Sequence, residues 1–256
     1  MELILFVILN INLIFGSDQI PGSDQSNPIM LRGATIYTVS NGIIENGDIL
    51  FDKGRIYNIG KYITDFPFGT EIIDAKDMYV YPGLISAIST LGLQEIGSVR
   101  ATRDYAEVGS INPNVRANVS YNPDSELIPT SRSNGVLLAL SVPRSGLVSG
   151  TSSMMMLDGW TWEDATLKHP IGMHIFWPSM GLDKNKKGNK GKQLQLESIQ
   201  KIDDLFYDSR SYNKAKNSNT YLFKHDLKLE GMLPVVRGEI PVFVHANEIR
   251  QIEAAI

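Results

Sequence analysis

Short alternating blocks of apolar and polar residues fill the chain from Ile29 to Ile73. Met30-Leu31 and Ala34 to Val39 read as strand, and Asn41-Gly42 is a hairpin turn signal. Gly47 to Phe51 is a strand, Asp52-Lys53-Gly54 a turn, and Arg55 to Gly60 the returning strand. Thr70 to Ile73 and Met78 to Tyr81 add two short strands. Together residues 28–81 predict a small β-sandwich layer. Pro82-Gly83 then marks a change of pattern.

From Leu84 onward apolar runs alternate with helical periodicity. Gly135 to Val142, GVLLALSV, is nearly continuous, as in a strand buried on both faces of a parallel sheet. Ser153 to Leu157, Ile171 to Phe176 and Pro241 to His245 are further strands. Leu196, Ile199, Ile202 and Phe206 recur at helical spacing, which predicts an amphipathic helix over about 194–216. A second helix covers His225 to Val236, and Asn247 suits the N-cap of a third, with Ile249, Ile252 and Ile256 on one face. Strand–helix alternation of this kind predicts an α/β fold. A (β/α)8 barrel takes about 250 residues, whereas 174 follow Pro82. The expectation for 82–256 is therefore an incomplete (β/α)8 TIM-type barrel, and periodicity alone leaves a smaller α/β domain open.

Leu3 to Phe15 is a 13-residue apolar stretch followed by Gly16 and Ser17. It is shorter than the roughly 20 residues of a membrane span and suits the apolar core of a secretory signal. Residues 1–17 are thus expected to be a signal peptide, with the protein exported to the periplasm or secreted and without a stable membrane anchor. A buried N-terminal strand or helix is the alternative.

Composition narrows the chemistry mainly by exclusion. The 256 residues carry a net charge of −4, which does not favour a nucleic-acid binder. The absence of cysteine excludes disulfides, thiolate zinc sites, iron–sulfur clusters and a cysteine nucleophile. Ser145 and Ser149 lie near glycines without forming G-x-S-x-G, so nothing supports a serine hydrolase. The lysines at 184, 186, 187, 190 and 192 sit among Asn and Gly and read as a solvated insertion. Met154-Met155-Met156 reads as adaptable packing. Asn118-Val119-Ser120 fits a glycosylation triplet, which is common by chance.

Several motifs in fixed order carry more information. Tyr81-Pro82-Gly83-Leu84-Ile85-Ser86-Ala87-Ile88-Ser89-Thr90-Leu91-Gly92-Leu93 resembles the first barrel strand of the amidohydrolase superfamily. Gly47 to Gly60 resembles its N-terminal β-sandwich. Val99 to Asp104, Asn112 to Arg116, Asn122 to Glu126, Arg132 to Gly135, Ser149 to Ser153 and Leu157 to Asp164 resemble an exported branch near the imidazolonepropionase-like amidohydrolases. Val242-Phe243-Val244-His245-Ala246 resembles a later barrel strand ending in histidine. The resemblance covers residues 29–256. It implies a barrel hydrolase with an attached sandwich, a divalent metal such as zinc, and hydrolysis of amide, cyclic amide or related C–N bonds in a small-molecule substrate. A homo-oligomer is compatible with it.

One departure bears directly on the metal. The family's first strand carries Asp-Ala-His-x-His, two imidazoles two residues apart and so on one side of the strand. Ile88 and Thr90 stand at those positions. Ile88 cannot ligate, and Thr90 is a poor substitute for imidazole. The four histidines are His169, His174, His225 and His245, and none pairs with another at i+2 or i+4. By resemblance His245, at a strand end, is the first candidate metal ligand. His174 and Trp160 are candidate substrate-binding residues, while His169 and His225 are expected to face solvent. The family's catalytic aspartate would fall beyond Ile256, so no catalytic base is assigned. Two functions follow: a metal-dependent hydrolase of C–N bonds, represented by its N-terminal part, and a non-catalytic amidohydrolase-like binding protein, which the loss of both first-strand histidines favours.

Overall fold

The computed structural model describes residues 20–181, 189–218 and 223–256. The stretch read as a signal peptide and the lysines at 184, 186 and 187 lie outside the described residues. Among the described residues no helix is long and apolar enough to cross a membrane. The chain forms two compact units, one of Pro21–Leu84 and one that includes Ile85–Ile256.

The first unit is built on β1 (Ile29–Tyr37). One edge of β1 pairs antiparallel with β2 (Ile43–Asp52), and β2 pairs antiparallel with β3 (Arg55–Gly60). The other edge takes β4 (Glu71–Asp74) and then β5 (Tyr79–Val80), both parallel. The sequence pattern divides β1 at Arg32-Gly33. The strand instead runs through with a register irregularity, because Gly33 adopts φ 82°, which costs glycine little. In the described residues the expected sandwich layer is one mixed five-stranded sheet. Ile49 and Leu50, neighbours in β2, point to opposite faces and anchor two small clusters. Ala34, Ile36 and Ala75 gather around Ile49, and Met30 and Ile63 around Leu50.

The second unit holds two sheets. β6 (Leu84–Ser89), β7 (Val136–Ser141), β9 (Ser153–Met156) and β10 (Thr166–Lys168) form one, in the order β10-β9-β7-β6. β8 (Val148–Thr151), β11 (Met173–Phe176) and β12 (Val242–His245) form the other, in the order β12-β11-β8. The pattern predicts one parallel sheet. The structure shows β7–β9, β9–β10 and β8–β11 antiparallel, with β11–β12 parallel. An apolar run such as GVLLALSV reports burial on both faces and carries no information on strand direction.

The chain passes from one sheet to the other at Ser152, whose N–H donates to the Gly172 carbonyl. Just before it, Gly150 has φ 119°, and a Cβ there would lie 2.4 Å from the Val115 carbonyl oxygen. Each sheet has its own core. Leu93, Tyr121, Ile128, Ala139, Met155 and Leu157 pack on the first. On the second, Val148, Met173 and Ile175 meet Ile202, Leu205 and Met232 from the helices.

Those helices follow the predicted pattern with adjusted ends. α1 (Leu127–Ser133) and the short α2 (Trp162–Ala165) precede α3 (Asn189–Asn217), which contains the predicted amphipathic stretch. α4 (Leu227–Val236) starts two residues later than predicted, because the Asp226 carboxylate accepts the N–H groups of Lys228 and Leu229 at 2.8 and 3.1 Å. α5 (Ile249–Ala255) is capped at Glu248 rather than Asn247. The Gln251 side-chain oxygen accepts the N–H of both Asn247 and Glu248, and its amide donates to the carbonyls of Trp177 and Pro178. Asn118 is 4% exposed and cannot present a glycan.

Candidate functional site

Parallel pairing places His174 opposite Phe243 and Phe176 opposite His245. Residues two apart share a face of a strand, so all four rings lie on one side of the β11–β12 pair. The other side carries Met173, Ile175 and Val242, which face the helices. His-x-Phe on β11 and Phe-x-His on β12 are thus reversed copies, and each imidazole stacks on the opposing phenyl ring. Phe176 and His245 have centroids 4.1 Å apart and planes at 5°; His174 and Phe243 are 5.0 Å apart at 14°. The reversed order also brings the imidazoles together diagonally: His174 Nδ1 and His245 Nε2 share a hydrogen bond of 2.8 Å.

The pair is neutral near pH 7. Burial, and then the neighbouring His245, lower the His174 pKa from 6.5 to about 4. Burial first, and the Arg144 guanidinium second, lower that of His245. His174 is fully buried and its Nε2 has no hydrogen-bond partner among the described residues. His245 is half-buried, so it is the member of the pair that a ligand or water reaches. Trp160 is 61% exposed in the turn before α2, and no hydrogen bond or ring contact joins it to either imidazole.

These donors do not make a zinc site. A tight site takes three or four protein ligands. Among the described residues no three His, Asp or Glu side chains converge. The two imidazoles present already direct one nitrogen each at the other. Ile88 has no atom that can ligate a metal, and its backbone is unusual: it takes φ 57°, a conformation that β-branched residues rarely adopt. Asparagine tolerates that region, and Ile88 is 47% exposed, so little burial is lost on replacing it. Ile88→Asn is therefore expected to stabilise the protein by about 0.5–1 kcal/mol. A thermal melt showing a clear loss would mean that the strand does not hold this conformation in solution.

A second constellation escaped the sequence reading. His169 does not face solvent freely: its Nδ1 lies 2.8 Å from Ser153 Oγ, and the ring is half-buried. Burial first, and Arg116 second, lower its pKa. Ser153 is fully buried and its Oγ also accepts the Asn118 N–H at 3.2 Å, so it joins two segments and is not available as a nucleophile. His225 is exposed, as expected, with Nε2 3.6 Å from Glu230.

No family model and no curated protein matches the sequence. Among solved structures, an amidohydrolase from Thermotoga maritima MSB8 matches with a TM-score of 0.76 and 26% identity, over 89% of this chain and 60% of that one. A D-hydantoinase matches with a TM-score of 0.24 and 30% identity, over 34% of this chain and 18% of that one. A triazine hydrolase from Arthobacter aurescens matches with a TM-score of 0.24 and 31% identity, over 26% and 15%. These structure neighbours are members of the amidohydrolase superfamily. The chain spans about 60% of the length of the Thermotoga protein.

Proposed function

We propose that this chain is an amidohydrolase-superfamily protein, of the imidazolonepropionase-like branch and exported, that acts on small molecules with amide, cyclic amide or related C–N bonds. The observation that carries the reading is the fold match to the Thermotoga amidohydrolase along 89% of the chain at 26% identity. His245 is the working group in this proposal. A neutral, partly exposed imidazole accepts a proton from an attacking water or a hydrogen bond from a ligand N–H. His174, buried behind it, orients the ring through the 2.8 Å hydrogen bond. Among the described residues the donor set does not hold a metal, so the chemistry proposed rests on the imidazoles themselves.

A second reading, binding without hydrolysis, is favoured by Ile88 and Thr90 at the first-strand positions. One experiment separates the two. The purified chain is incubated with a panel of cyclic amides and N-acyl compounds, with and without added zinc. Turnover is followed by mass spectrometry and binding by thermal shift. Turnover that His245→Ala abolishes supports hydrolysis. A thermal shift without turnover supports the binding protein. A panel that produces neither would remove this ligand class from consideration.

A further inference from the structure

We propose that the first unit carries a separate binding site for a zwitterion, an α-amino acid with an apolar side chain, in a cleft of about 550 Å3 formed by residues 32–76. That volume lies within the range of about 300–1,000 Å3 typical of small-molecule pockets.

The walls of the cleft are held in place by one buried carboxylate. Asp48 is 4% exposed. Its Oδ1 accepts the Gly33 N–H and its Oδ2 the Ile63 N–H, both at 3.0 Å. These bonds join the irregular point of β1 to the loop after β3. Three lining residues take left-handed backbone conformations: Gly33 at φ 82°, Asn46 at 49° and Tyr62 at 57°. For a tyrosine this is an uncommon conformation, and strained positions of this kind gather where a ligand is bound. Arg32 belongs to the same support. Its Nε lies 3.8 Å from Asp48, a terminal nitrogen donates to the Ile63 carbonyl at 3.3 Å, and its guanidinium lies over the Phe66 ring.

With Asp48 and Arg32 engaged in the wall, two charges remain for a ligand. Lys76 and Asp74 both line the cleft, and neither makes an ion pair with a described residue. Asp74 Oδ1 accepts the Lys76 N–H at 3.0 Å, which fixes the carboxylate at the turn and leaves its other oxygen unengaged there. An ammonium and a carboxylate from residues that line one cleft, unpaired with each other, complement the carboxylate and ammonium of an amino acid. Tyr62, 80% exposed, and the buried Ile63 also line the cleft and supply apolar surface for a side chain. The site lies within the first unit and does not depend on the imidazole pair or on the function proposed for it.

Calorimetry on the 256-residue chain tests the proposal with three probes that share one ring: L-phenylalanine, 3-phenylpropanoate, which lacks the ammonium, and 2-phenylethylamine, which lacks the carboxylate. L-Phenylalanine is expected to bind at least about tenfold more tightly than either analogue. Lys76→Met should abolish its advantage over phenylethylamine, and Asp74→Asn its advantage over phenylpropanoate. Both side chains are exposed, so both variants should retain the parent's circular dichroism and melt. Equal affinity for the three probes, no binding of L-phenylalanine, or unchanged preferences in folded variants would overturn the site.

Discussion

Acidification from pH 7 to pH 4 should remove about 3 kcal/mol of stability from the unit that carries the imidazole pair. His174 titrates at about 4 in the folded protein against 6.5 for a free histidine. Between those values the unfolded chain binds more protons than the native one, so stability rises with pH across this window. The contribution is fully present above pH 6.5 and is lost as pH falls towards 4. His245 and His169, both lowered as well, act in the same direction. Denaturant unfolding at a series of pH values measures the slope. His174→Phe removes the titrating ring while retaining an aromatic side chain between its neighbours, and should flatten most of the dependence. A variant that keeps the parent slope would show that another group carries it.

Gly150→Ala should cost about 2–6 kcal/mol, a large part of the roughly 5–15 kcal/mol by which a domain is usually stable. Two effects combine. The backbone at φ 119° is open to glycine and strained for alanine, at about 1–3 kcal/mol. The new methyl would meet Val115 at 2.4 Å from its oxygen and 2.8 Å from its Cβ, and overpacking adds about 1–3 kcal/mol. Val115 cannot simply move away, since its carbonyl accepts both the N–H and the hydroxyl of Thr151. Gly135→Ala is the matched control: its φ is 84°, but nothing lies within 4 Å of an added Cβ, so only the backbone effect should appear. Chemical unfolding of the two variants side by side gives the difference. Near-equal losses would mean that the close approach to Val115 is relieved in solution.

Local signals are legible in the sequence, and pairings between distant segments are not. In the first unit, turn residues at 41–42 and 52–54 and period-two alternation locate the β1–β2–β3 meander, because each signal acts on its own few residues. The long helix is legible from Leu196, Ile199, Ile202 and Phe206, and Ile202 is indeed in the core. The cap of α5 falls one residue after the predicted Asn247 because Gln251 reaches back to it, a bond that the Asn247 side chain does not make. His245 at a strand end was visible. Its partner was not, because 71 residues separate them and only parallel register converts the reversed His-x-Phe and Phe-x-His into a hydrogen-bonded pair. The reversal itself is the trace that the pair leaves in the sequence. Trp160, attractive by residue type, stays in solvent while Trp162 packs on the first core.

The two apolar cores of the second unit share no residue. Evolutionary drift can therefore proceed in separate compartments. Exchanges among Leu93, Ile128, Met155 and Leu157 are absorbed around the β7–β9 sheet, without reaching the strands that hold the imidazoles. Exchanges at Ile202, Leu205 or Met232 act directly on the backs of Met173 and Ile175, the neighbours of His174. Lineages that retune the imidazole face should therefore record the change on α3 and α4, the helices between the two histidines in the chain.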